Sequence, residues 1–162
     1  MMRITAPTIA ACVALLLAAG VVHAQSVTLK GLDGQTATLT AADLAAMPHQ
    51  TVTLTHDGKS TVYSGAPLTA ILQRVGAPAG KALHGPELAD VVVVTASDGY
   101  RVVLALADTD PAIRADKIIL ADHADGAALS PAEGPLRLVV EGDLRPARSA
   151  RMVTAITLER AP

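Results

Sequence analysis

Three arginines recur at every third position, Arg145, Arg148 and Arg151, just after Gly142-Asp143. Guanidinium groups grip phosphate or sulfate through paired N–H donors. In a helical turn the three share a face and form an anion cradle; in an extended chain they do not. A merely solvated charged loop is the competing reading. Arg137 is a different case. It leads into the apolar run Leu138-Val139-Val140, so it lies on or beside a buried strand, where arginine is seldom left unpaired. It is either the partner of a carboxylate such as Asp98 or Asp143, or the floor of a pocket.

Other chemistry-bearing residues are less organised. Asp108 and Asp110 flank a turn at Pro111; buried together they could exchange protons, and in water they are only turn residues. His49, His56, His84 and His123 show no i, i+4 pair of the kind a helix uses to hold a metal. His49 and His56 are an odd number of residues apart across a strand, so they point to opposite faces. Gly76-Ala77-Pro78-Ala79-Gly80-Lys81-Ala82 imitates a phosphate loop. It is one residue short, and Ala82 stands where a magnesium-binding hydroxyl belongs, so it reads as a surface loop.

The elements that must position these residues are mostly strands. The centre is Asp90 to Leu104, DVVVVTASDGYRVVL, a hairpin turned at Asp98-Gly99 whose unbroken valine run predicts a first strand covered on both faces. Ser26–Lys30, Gln35–Leu39, Thr51–Thr55, Ser60–Tyr63, Lys117–Ala121, Leu136–Val140 and Met152–Leu158 read as further strands. Asp-Gly turns at 33, 57 and 125 punctuate them. Thr40-Ala41-Ala42-Asp43 is a capping box opening a short helix that Pro48 ends. Leu68, Ile71, Leu72 and Val75 follow helical spacing, with Pro67 near the first position and Gly76 as the stop. Ala105–Ala115 reads as irregular or one helical turn. The class is β-rich α+β, with mixed sheets and short helices.

Composition narrows the function. The first two dozen residues read as an export signal: Arg3, the apolar run Ile9–Gly20, and a small-residue cleavage site at Val22-His23-Ala24. No arginine pair precedes the apolar run, which implies export as an unfolded chain to the periplasm or medium, with no membrane anchor after cleavage. Removal of residues 1–24 leaves 138 of 162, one domain over 25–162. The signal takes Arg3 and Cys12 with it, leaving 12 basic against 15 acidic residues and no thiol. Tyr63 and Tyr100 are the only aromatics. A chain without a basic surplus or stacking platforms is not built for nucleic acid.

Five fragments, in order, resemble the oxidoreductase molybdopterin-binding domain of the sulfite-oxidase fold. Tyr63-Ser64-Gly65-Ala66-Pro67-Leu68 followed by Ile71-Leu72 is similar to its x-G-V-P-L-x-x-L-L segment. Ser97-Asp98-Gly99-Tyr100 is similar to its S-x-D-G-Y turn, and LADHADGAAL (120–129) to L-A-x-x-x-N-G-x-x-L. Gly134-Pro135-Leu136-Arg137-Leu138-Val139-Val140 matches G-G-P-L-R-L-V-V-P-G with Glu141 at the proline, and Arg148-Ser149-Ala150-Arg151 resembles K-S-V-K.

The resemblance implies a molybdenum-pterin oxidoreductase whose metal is bound by one cysteine and whose pterin phosphate is held by basic side chains. Carried over by position, Arg137, Arg148, Ser149 and Arg151 become ligand-binding residues. The metal-ligating cysteine should fall just after the strand at Val52–Leu54, where Thr55, His56 and Asp57 stand instead. Hydroxyl, imidazole and carboxylate are poor replacements for a soft thiolate. Family members also cross the membrane folded when they carry the pterin, unlike a chain with this signal. The expectation is therefore an exported scaffold without molybdenum, binding a small anionic ligand or a periplasmic partner protein. The alternative is a sulfite-oxidase-like enzyme that holds molybdopterin without a protein thiolate.

Overall fold

Alternating apolar residues build two sheets, and one of them carries buried residues on both of its faces. The structure is a computed structural model that describes residues 26–161; residues 1–24, read above as an export signal, and Cys12 among them lie outside the described residues. In chain order the elements are β1 (Ser26–Lys30), β2 (Thr36–Thr40), α1 (Ala41–Ala46), β3 (Gln50–His56), β4 (Lys59–Pro67) and α2 (Leu68–Gln73). They continue with β5 (Val91–Ala96), β6 (Arg101–Ala105), β7 (Ile118–Ala124), β8 (Ala127–Ala128), β9 (Arg137–Val140) and β10 (Val153–Glu159). The first sheet runs β2-β1-β10-β5-β6, with β1 and β10 parallel. The second runs β3-β4-β7-β8, and β9 also pairs with β7.

The larger core joins the sheets. Val27, Leu29, Val92, Val94 and Ile156 of the first sheet belong to one buried cluster with Leu120, Leu138 and Val140 of the second and with Ile71 and Leu72 of α2. Each such side chain stabilises the fold by about 1.5–3 kcal/mol when fully buried. A smaller cluster of Val52, Tyr63, Ile119, Ala121 and Val139 lies on the second sheet's other face. The split follows from period-2 alternation: Ile118 and Leu120 face one way along β7, Ile119 and Ala121 the other.

Most expected elements are present, with shifted ends. The β5–β6 hairpin forms, and Val92, Val93 and Val94 are all buried, but the face that Val93 shares with the half-buried Val91 and Thr95 is covered only in part, and Val103 opposite Val93 is 57% exposed. The capping box also forms: Thr40 Oγ1 accepts from the Asp43 N–H at 3.1 Å, and Asp43 Oδ2 accepts from the Thr40 N–H at 2.9 Å. Pro67 is the N-cap of α2 rather than its first residue. β3 runs one residue longer at each end than the Thr51–Thr55 read from the sequence, so His56 as well as Thr55 lies inside the strand and only Asp57 is in the turn. That turn is the two-residue type with both central φ positive, Asp57 at 49° and Gly58 at 75°, which suits the strand twist. Ala105–Ala115 contains one 3₁₀ turn, Leu106–Thr109.

Candidate functional site

Strand parity decides what reaches the second sheet's outer face. On β3, Val52, Leu54 and His56 share a side; Tyr63 on β4 lies opposite Val52, and Arg137 on β9 lies opposite Ala121 of β7. Arg137 thus joins the small cluster, away from the core between the sheets. Arg151 comes from the segment entering β10. There Met152 takes a left-handed φ of 50°, uncommon outside glycine, while its N–H donates to the Glu133 carbonyl at 3.1 Å. Its own carbonyl accepts from the Ser97 N–H at 2.9 Å.

These elements enclose a cleft with two lobes. The larger, about 370 Å³, is lined by Asp98, Tyr100, Ser149 and Met152 among others. The smaller, about 210 Å³, is lined by His56, Lys59, Tyr63 and Glu133. Arg137, Pro146 and Arg151 line both lobes.

Arg137 is the floor of this cleft and is only 4% exposed. Its Nη1 donates to the Tyr63 hydroxyl at 2.6 Å and to the Glu133 carboxylate. Tyr63 in turn donates to Glu133 Oε1 at 3.1 Å, and the guanidinium carbon sits 4.8 Å from the tyrosine ring centroid. Burial pushes the Tyr63 phenol above its ordinary pKa, against the opposing pull of the Arg137 charge. Arg137 Nε is buried without a hydrogen-bond partner. A buried guanidinium N–H left without a partner is costly. Arg151 has no carboxylate partner among the described residues.

The two readings of Arg137 are thus both realised, but its carboxylate is Glu133, neither Asp98 nor Asp143. Asp98 Oδ1 accepts from the Tyr100 N–H at 2.9 Å, and Asp143 is taken by Arg148. The arginine triplet does not form one cradle. A 3₁₀ turn at Pro146–Arg148 ends before Arg151, which sends the side chains apart. Arg148 forms a two-pronged ion pair with Asp143, at 2.9 and 2.5 Å, which raises the guanidinium pKa further, and it lies outside the cleft lining. Arg145 is exposed and also outside that lining. Ser149 lines the larger lobe while its Oγ accepts from the Val140 N–H at 3.1 Å.

Of Thr55, His56 and Asp57, His56 alone lines the cleft. Thr55 points to the opposite face and shares a hydrogen bond with Ser60 at 2.8 Å. Asp57 is almost fully solvent-exposed, 3.4 Å from the His56 ring. Asp110 is buried, and its two carboxylate oxygens accept from the loop N–H groups of Gly80 and Ala112, while Asp108 is half-buried. His49 and His123 both lie against Asp122, at 3.4 and 2.8 Å.

Sequence reasoning passed over Tyr63, Glu133 and Lys59 as site residues. Two signals pointed to them. Glu133 stands four residues before Arg137, and a two-residue turn at Asp57-Gly58 obliges His56 and Lys59 to pair.

A model of the oxidoreductase molybdopterin binding domain matches residues 18–162. The chain belongs to this family. Among solved structures the domain is similar to the sulfane dehydrogenase SoxCD from Paracoccus pantotrophus, with a TM-score of 0.61 and 20% identity. That likeness, which is one of fold, covers 83% of this chain and 38% of the other. No curated protein matches the sequence.

The domain's residues fit one part of the family's cofactor and not the other. Arg151, exposed in the cleft lining and without a carboxylate partner among the described residues, suits an anionic group such as a phosphate. For the metal, the position that should carry a thiolate offers imidazole, hydroxyl and carboxylate, and no cysteine occurs among the described residues. Nor, among those residues, do three or more histidine, aspartate or glutamate side chains gather as a metal site.

Proposed function

We propose that this molybdopterin-binding-domain protein is an exported ligand-binding or accessory module that holds a small oxyanionic ligand in the two-lobed cleft, without a molybdenum–thiolate bond. One observation carries the reading: Arg151, exposed and without a carboxylate partner among the described residues, lines a cleft beside the buried Arg137. Export is supported by the N-terminal charge and hydropathy pattern. No helix among the described residues is long and apolar enough to cross a membrane.

Calorimetric titration of the purified chain with sulfate tests the cleft. Arg151→Ala should weaken binding about tenfold while barely moving the melting temperature, because an exposed, unpaired arginine adds little to stability. Unchanged affinity defeats the proposal. The family match supports a second reading, a molybdopterin enzyme that holds its cofactor by pterin contacts alone. Metal analysis of protein from its native compartment separates the two: stoichiometric molybdenum favours the second.

A further inference from the structure

Independently of the anion-cleft reading, we propose a separate binding site at the far end of the second sheet, which takes a small monocarboxylate with a short apolar chain. Gln50, the first residue of β3, lines a cavity of about 340 Å³ with Pro67, Ala70, Gln73, Lys117 and Ile118 among others. This cavity shares no lining residue with the two-lobed cleft. β3 is seven residues long, so at about 3.3–3.4 Å per residue His56 lies roughly 20 Å from Gln50.

Helix α2 buries Leu68, Ile71 and Leu72, and its other residues Thr69, Ala70 and Gln73 form one wall. The loop 109–117 forms the facing wall and is tied down at three points. The Thr69 hydroxyl donates to the Thr109 carbonyl, and the buried Asp110 accepts from the Gly80 and Ala112 N–H groups. Arg114 Nη2 donates to the Glu141 carbonyl at 2.8 Å. Asp110 thereby anchors a wall of this cavity. Three charged side chains line it. Arg114 and Asp116 lie 3.4 Å apart and offset each other, whereas the Lys117 ammonium has no carboxylate partner among the described residues. Lys117 Nζ donates to the Thr51 carbonyl at 3.2 Å, which leaves two of its three N–H donors for a ligand. The exposed Gln50 and Gln73 amides, without a hydrogen-bond partner among the described residues, add neutral donors. Ile118 is buried and Pro67 and Ala70 are half-buried, so they offer apolar surface. One uncompensated positive charge beside such surface matches a single carboxylate on a hydrocarbon chain. The chain is short, because the volume lies near the lower end of the roughly 300–1,000 Å³ of small-molecule sites.

The experiment is calorimetric titration of the purified chain with hexanoate, acetate and hexan-1-ol, at one near-neutral pH and constant ionic strength. Hexanoate should bind about tenfold more tightly than acetate, which lacks the apolar chain, and than hexan-1-ol, which lacks the charge. Lys117→Met should lower hexanoate affinity to that of hexan-1-ol while leaving the alcohol's affinity nearly unchanged. Ala70→Phe fills the cavity and should abolish binding of both. Lys117 is exposed and Ala70 is half-buried on a helix, so an unmoved melting temperature is the folding control for each variant. Arg151→Ala, in the other cleft, should leave hexanoate affinity as it was; a fall would seat the carboxylate there and overturn the separate site. Equal affinity for hexanoate and acetate overturns the proposal, as does a Lys117→Met protein that keeps its preference for hexanoate over the alcohol. Absence of hexanoate binding overturns it as well. Sulfate binding in the two-lobed cleft is measured separately, so either site can fail alone.

Discussion

The guanidinium of Arg137 lies over the ring of Tyr63, 4.8 Å from its centroid, and donates to the same residue's hydroxyl at 2.6 Å. One tyrosine therefore supports the buried cation twice, through its face and through its oxygen. With Glu133 completing the triad, each member of the cleft floor contacts the other two.

Arg137→Leu should be strongly destabilising, by about 3–5 kcal/mol, because it strands Glu133 beside an apolar face. The double variant Glu133→Gln/Arg137→Leu should recover much of that loss, since no charge is then left unpaired. Urea denaturation of the two proteins compares them directly. A single variant as stable as the wild type would place Arg137 on the surface, against its burial.

Tyr63→Phe keeps the ring under the guanidinium and removes the hydroxyl, so it should cost about 1 kcal/mol. The Tyr63 phenol is held above its ordinary pKa in the folded protein. The unfolded chain therefore loses this proton first, and the linked stability fades as pH rises above about 10. Wild type and Tyr63→Phe should therefore differ by that amount at neutral pH and converge as pH rises above about 10, which alkaline denaturation can follow.

Asp43 behaves in the opposite sense. Its hydrogen bonds from the Thr40 hydroxyl and backbone hold its carboxyl below the ordinary value, with Arg74 assisting. A lowered folded pKa gives stability that is present above about pH 4 and is lost as pH falls through the folded value. Thr40→Ala removes the cap and should cost about 1 kcal/mol at neutral pH. The difference between the two proteins should shrink in acid, which thermal melts between neutral and strongly acidic pH can follow.

Gly65 sits where β4 bulges against β7, and a methyl group there would meet the Leu120 carbonyl oxygen at 2.1 Å and the Ala121 Cα at 2.4 Å. Both are backbone atoms and cannot rotate away. Gly65→Ala should cost about 1–3 kcal/mol by forcing the two strands apart. Because Tyr63 is two residues away on β4, sulfate affinity should fall with stability. Loss of stability with unaltered affinity would separate the strand crossing from the cleft.

Local sequence determined a good deal of this protein by itself. Asp-Gly turns, the Thr40–Asp43 box and the valine runs act over a few residues, so their hairpins, helix and buried strands could be read without knowing the fold. The same holds for Arg137, whose place in an apolar run announced a buried, partnered cation. Strand length, however, depends on the neighbour: β3 continues to His56 because β4 continues opposite it, ending at the Lys59 pair. Which carboxylate meets Arg137, and which arginine faces the cleft, were decided only by tertiary structure. Spacing of three residues assigned Arg145, Arg148 and Arg151 equal status, yet Asp143 captures Arg148 and the left-handed Met152 helps set the course of the chain beside Arg151. The cleft itself gathers β3, β4, β9 and the segment before β10 from across the chain. Contacts between segments so far apart leave no periodic trace in the sequence, because each is set by how the sheets pack and not by any local preference.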